Sequence, residues 1–196
     1  MSTVSLTPES EMVLSEAQTP DEPALGDQRV IFREIGWAGY EALLQVQAEK
    51  SRPQMLYLDG NVLLMSPSHI HGRLDDRLGM FVRLVVEELE IPCIPTPETT
   101  FHRQDLEAGV QPDDSFYLAN LGPIAAKDGM EDIDLGMDPP PDLVIEVVHT
   151  HSAKLALEIL RRIGVPEVWV GKPTGLQIFV LSEEGQYFVS DNSKSF

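Results

Sequence analysis

One carboxylate, Glu146, stands inside the apolar run Leu143-Val144-Ile145-Glu146-Val147-Val148. Such a run reads as a strand buried on both faces. A charge there is costly unless it is paired or bound to a cation. A second acid occurs in a similar setting. Val110-Gln111-Pro112-Asp113-Asp114-Ser115-Phe116-Tyr117 also reads as a strand, with Asp113 directly after a proline. Side by side, the two strands would present Asp113 and Glu146 as hard oxygen ligands for a divalent metal. That arrangement suits the hydrolysis of a phosphodiester.

Other pairings are weaker. Asp142 and Glu146 are four residues apart on one strand, so their Cα atoms are separated by ~13 Å and cannot readily share one ion. Asp113 and Asp114 alternate in direction, so one of the two can face Glu146. Asp113 is the choice made here. The simpler reading makes Asp113 and Asp142 strand-start residues that cap turns after proline.

Organisation follows from periodicity. The chain has 196 residues, 42% of them hydrophobic and 23% charged, which suits one soluble domain. Residues 1–28 hold six acids and no Lys or Arg and read as a disordered acidic tail; residues 29–196 form the domain. Trp37–Ala48 reads as a short amphipathic helix. Met55–Leu58 and Val62–Met65 flank the turn signal Asp59-Gly60-Asn61 and form a hairpin. Leu74, Leu78, Phe81, Val82, Val85 and Leu89 repeat at three and four and predict a helix from about Ile70 to Leu89. Pro92, Pro95 and Pro97 make a stiff connector. Thr99–Arg103 and Gln111–Leu118 read as strands with a loop at Gly109, and residues 119–141 as an irregular insertion. Ser152 reads as the N-cap of a helix that runs to Ile163 and ends at Gly164. Glu167–Val170, Leu176–Leu181 and Tyr187–Ser190 close the chain as strands. The order predicts a mixed α/β (α+β) domain with one central sheet covered by helices.

The net charge of −18 leaves −12 outside the tail and argues against a generic nucleic-acid binder. DNA contact would have to rely on a local basic patch, a metal or a partner. The lone Cys93 excludes an internal disulfide and reads as packed, which with no apolar signal core fits a reducing cytoplasm. No apolar run approaches the ~20 residues that span a bilayer.

Five segments in order carry a family resemblance: Tyr57-Leu58-Asp59-Gly60, Met65-Ser66-Pro67-Ser68 with His71, Gln111–Tyr117, Asp138–Val147 and Gly164–Trp169. Over residues 30–196 the chain resembles the Uma-type family of putative restriction endonucleases, within the PD-(D/E)XK nuclease superfamily. The resemblance implies a restriction-endonuclease-like fold, a central mixed sheet flanked by helices, and Mg2+-dependent hydrolysis of DNA. It places the motif aspartate on Asp113 and the second metal-binding acid on Glu146. It also implies a lysine two residues after that acid, or on the next helix. Here those positions are Val148 and Ala156. Lys154 is the nearest substitute, ~200° around the helix from Ala156; Lys172 and Arg103 are more remote.

His149 and His151 straddle Thr150 and read as a polar turn before the helix, though a His-x-His pair can bind a transition metal. His71 is open to a capping or a site role. His69 and His102 read as surface positions, and Arg73, Arg77 and Arg83 as a solvated helix face. Beside the hydrolysis of another phosphate ester, two readings remain. One is a metal-dependent endonuclease, for which cutting both strands favours a two-fold dimer. The other is a binding module that kept the fold and lost its lysine.

Overall fold

A computed structural model describes residues 26–47, 53–127, 133–149 and 152–196. Residues 1–25 of the acidic tail and His151 of the histidine pair lie outside the described residues.

The strands form two sheets where the sequence predicts one. The first is antiparallel, in the order β1 (Gln28–Phe32), β3 (Asn61–Ser66), β2 (Gln54–Leu58), β6 (Ala108–Val110), β5 (Phe101–Arg103). The second has the order β11 (Tyr187–Ser190), β10 (Gly175–Leu181), β9 (Glu167–Lys172), β8 (Leu143–Val147), β7 (Asp114–Tyr117), β4 (Ile94–Pro95). It is mixed: β8 and β9 are parallel and its other pairs antiparallel. Pro112 explains the division. The predicted strand Gln111–Leu118 is cut at its start, because a proline has no N–H to give a ladder. Val110 pairs with Leu56 in the first sheet, and Asp114 pairs with Ile145 in the second. Asp113 therefore sits at the crossing between sheets.

The β2–β3 hairpin forms as its turn signal predicts. Asp59 and Gly60 both adopt positive φ, 46° and 80°, as a type I′ turn requires, and Asn61 joins the strand opposite Leu58. Gly109 lies within β6 and not in a loop. The Tyr40 side chain of α1 (Gly36–Gln47) packs against it, and a Cβ there would stand 2.5 Å from the Tyr40 hydroxyl. Two further departures concern segments read as irregular. β4 forms in the proline connector, and a short helix, α3 (Leu121–Ala125), forms within the insertion.

Strand β8 is covered on both faces, as its apolar run demands. On one face Ile145 and Val147 pack with Val82 and Val86 of α2 (His69–Glu88). On the other Val144 and Val148 join Ala156, Ile159 and Leu160 of α4 (Lys154–Ile163). Within the predicted stripe of α2, Phe81 and Leu89 depart from the core and are exposed, while Phe81 remains near Trp169. Helix α4 crosses from β8 to β9 and ends at Gly164, whose φ of 89° supplies the left-handed stop. Ser152 is not its N-cap. Ala153 takes that position without a side-chain cap, and Ser152 Oγ accepts from the Lys154 N–H at 3.3 Å. No helix of the described residues is long and apolar enough to cross a membrane.

Candidate functional site

Asp113 stands directly before β7, and Glu146 lies within the neighbouring strand β8. β7 and β8 pair antiparallel with Asp114 opposite Ile145; one residue further, Asp113 stands opposite Glu146. Directly opposed residues share a face. Along β8, Glu146 lies on the face of Val144 and Val148, covered by α4, and Ile145 points toward α2, while the Asp113 carboxylate reaches His71 of α2.

Three donors fix the buried Asp113 carboxylate. Oδ1 accepts from Gln54 Nε2 at 2.7 Å and is 2.8 Å from His71 Nε2. Oδ2 accepts the backbone N–H of Val147 at 2.7 Å, so a side chain bridges the strands where a main-chain carbonyl ordinarily would. Glu146 is equally buried, but its Oε1 has no hydrogen-bond partner among the described residues. Burial first, then the charges of Asp113 and Asp75, holds the Glu146 proton on well above the usual carboxylate range.

Helix α2 supplies the next groups. Ser68 caps it by accepting the His71 N–H at 3.4 Å. One turn on from His71, Asp75 lies on the same helix face. Its pKa is pushed up to about 7, by burial and then by Asp113 and Asp114, with His71 opposing. Burial disfavours the His71 imidazolium, but the bond to Asp113 and the charges of Asp113 and Asp27 outweigh it and raise its pKa. Asp27 is part of this arrangement: its Oδ1 accepts the Ser68 N–H at 2.8 Å and lies 3.5 Å from His71 Nδ1. Asp114, on the opposite face, pairs with Arg83 at 2.8 Å. Arg83 is thus engaged and not merely part of a solvated face.

Two cavities adjoin the carboxylates. One, of about 220 Å³, is lined by His71, Asp75, Asp76, Arg83, Asp113 and Asp114. The other is a narrow cleft of about 10 Å³ that includes Glu146, Ala156 and Arg29. Gln54 and Gln111 line both. Among the described residues, no three His, Cys, Asp or Glu side chains converge on a common metal position.

The remaining candidates fall elsewhere. Lys154 is exposed at the start of α4 and lines neither cavity. Val148 is buried in the core. Asp142 caps the turn after β7, accepting from the backbone N–H groups of Leu118 and Ala119 at 2.8 and 2.9 Å. Lys172 donates to Gln177, and Arg103 to Asp105. His149 Nδ1 lies 3.2 Å from Ser68 Oγ and so buttresses the α2 cap. His69 is exposed, but His102 is half-buried with its ring 5.5 Å from Trp37, contrary to the surface position expected. Sequence reasoning missed Gln54, Asp27, Asp75 and Arg29. Only Asp75 carried a usable signal, its four-residue spacing from His71.

The fold is a mixed α+β domain whose two buried acids lie close together across a strand pair. The model of the Uma2 family, described as "Putative restriction endonuclease", matches residues 37–193. The chain belongs to that family. A comparison with the curated proteins gives no match. Among solved structures, the chain is similar to a putative nuclease belonging to DUF820 from Anabaena variabilis. That likeness has a TM-score of 0.51 at 16% identity, covers 76% of this chain and 82% of the other, and shows a shared fold.

Proposed function

We propose that the chain is a metal-dependent nuclease that hydrolyses DNA phosphodiester bonds, with Mg2+, or Mn2+ in its place, held by Asp113 and Glu146. The observation that carries this reading is the buried Glu146 Oε1, unpartnered among the described residues and set across from Asp113. An orphaned oxygen of this kind costs ~1–3 kcal/mol or more unless a proton or cation satisfies it. The donor set fits a hard cation: one free Glu146 oxygen and one Asp113 oxygen carrying a single hydrogen bond. Mg2+ commonly takes one or two carboxylates and completes its shell with water and phosphate, so a third protein ligand is not required. The acidic cavity beside Asp113 would otherwise repel a phosphate.

A divalent cation there supplies Lewis acidity, lowering the pKa of water and drawing charge from the phosphate oxygens. The chain's own residues do the rest. Gln54, His71 and the Val147 N–H hold Asp113 in one orientation. Asp75, in the cavity beside Asp113, would take a proton from the attacking water. The water oxygen bonds to phosphorus, one P–O ester bond breaks, and the proton passes to the leaving alcohol.

A second reading, a DNA-binding or interaction module without cleavage, is favoured by Val148 and Ala156, which leave both expected lysine positions apolar. Incubation of supercoiled plasmid with wild type and Asp113→Asn in Mg2+, Mn2+ and EDTA separates the two. The nuclease reading expects metal-dependent nicking or linearisation that Asp113→Asn lowers by ~100-fold or more, about 2.7 kcal/mol of barrier. Binding of the plasmid without cleavage in any metal would establish the module instead.

A further inference from the structure

We infer that Arg29 is the cationic residue of this site, replacing from the N-terminal strand the lysine absent at positions 148 and 156. The inference rests on the nuclease reading above. Among the described residues lining the cleft that holds Glu146 and Ala156, Arg29 is the one cation. Register explains its direction. Arg29 pairs with Met65, so it shares the face of Met65 and Leu63, and Leu63 packs in the core that contains α4. The guanidinium stem therefore leaves β1 on the same side from which Ala156 approaches Glu146. The Arg29 side chain enters no hydrogen bond or ion pair among the described residues, whereas Arg83, on the neighbouring cavity, is committed to Asp114.

The strand that carries Arg29 is tied to the site. Two residues earlier, Asp27 accepts the Ser68 N–H and lies beside His71, which in turn holds Asp113. Gln28 then pairs with Ser66. The chain Asp27–His71–Asp113 thus sets where β1 begins and Arg29 follows at a fixed offset. A guanidinium there neutralises charge on the phosphate and offers paired N–H donors to its oxygens. Arg29 is a catalytic residue in this account because it contacts the substrate.

Five proteins test it: wild type, Arg29→Ala, Arg29→Lys, the double variant Arg29→Ala/Ala156→Lys, and Asp113→Asn. Cleavage of a duplex oligonucleotide is followed in Mg2+, and binding is followed in Ca2+ over a salt series. Arg29→Ala should lose ~100-fold in kcat with an unchanged melting temperature, since Arg29 is exposed on an edge strand. Its plot of log affinity against log salt should flatten by about one unit, the loss of one phosphate contact. Arg29→Lys should recover most of the rate. The double variant should recover at least ~10-fold, because its ammonium enters the same cleft; a purely structural role for Arg29 would give no such rescue. An active wild type matched by Arg29→Ala in both rate and salt slope overturns the assignment of Arg29 alone. A wild type and an Asp113→Asn variant that are equally inert overturn the nuclease reading, and the role of Arg29 with it.

Discussion

Asp113 and Glu146 oppose each other one residue beyond the paired register of β7 and β8, and the Asp113 carboxylate accepts the N–H of Val147, the residue after Glu146. The two acids differ in what surrounds them. Asp113 has three donors and Glu146 Oε1 has none among the described residues. In the proposed metal site the difference would divide their roles, with Asp113 the fixed ligand and Glu146 a ligand only after giving up a proton.

His71 supports the Asp113 carboxylate. His71→Ala deletes a buried imidazole and leaves Asp113 one donor short. The combined cavity and hydrogen-bond loss should cost ~2–4 kcal/mol, or roughly 5–15 °C in melting temperature. Thermal unfolding followed by circular dichroism measures it, and a change below 2 °C would show that His71 bears no load.

Asp75 sets a pH dependence. Its folded pKa of about 7 exceeds the ordinary 3.8, so the native state binds the extra proton between those values. Stability must therefore fall as pH rises from about 4 to 7. Asp75→Asn removes that decline. Relative to wild type without metal, the variant should gain ~1–2 kcal/mol between pH 4 and pH 8, a figure reduced for the screening of a half-buried group. Denaturant midpoints across that range check the sign; parallel curves for the two proteins would refute it.

Gly79 shows which of two opposed effects wins. Gly→Ala in a helix ordinarily gains ~1 kcal/mol. Here the new methyl would meet Asp114 Oδ2 at 2.6 Å and Arg83 Nη1 at 2.7 Å. Displacing a buried carboxylate from its partner costs ~3 kcal/mol or more, reduced because Arg83 is half-exposed. Gly79→Ala should be destabilised by a net ~1–2 kcal/mol in urea unfolding, and a stabilised variant would show that the pair shifts freely.

Ala156→Lys asks whether the missing lysine limits the rate. Ala156 is buried and shares the Glu146 cleft. With Arg29 in place, the added ammonium should leave Mg2+-dependent cleavage within ~3-fold of wild type, at some cost in stability from overpacking. A rise of ~10-fold or more, about 1.4 kcal/mol of barrier, would show that the site lacks a cation and that Arg29 does not supply it.

What could be read in the sequence was set by local chemistry. Glu146 was legible because it interrupts an apolar run, and Asp113 because Pro112 precedes it. The β2–β3 hairpin and the stop at Gly164 were legible from turn residues. Gln54, Asp27 and Arg29 were not, because each acts through a partner at least 41 residues away in the chain or across a cleft. Strand β1 was missed because all its residues are exposed and no alternating burial marks it. The division into two sheets depends on the same Pro112 that advertised Asp113. Lys154 shows the limit of proximity in sequence: two residues from Ala156, it points into solvent.

The central claim is that Asp113 and Glu146 hold a divalent cation together. Titration of Mn2+ against wild type, Glu146→Gln and Asp113→Asn, read as melting temperature at pH 7.5, tests it most directly. Binding to the native state at 100 times the dissociation constant adds about 2.7 kcal/mol, which should raise the wild-type melting temperature by roughly 5–10 °C. Both variants should lose most of that rise. An equal rise in all three proteins, or none in the wild type up to millimolar Mn2+, would contradict the account.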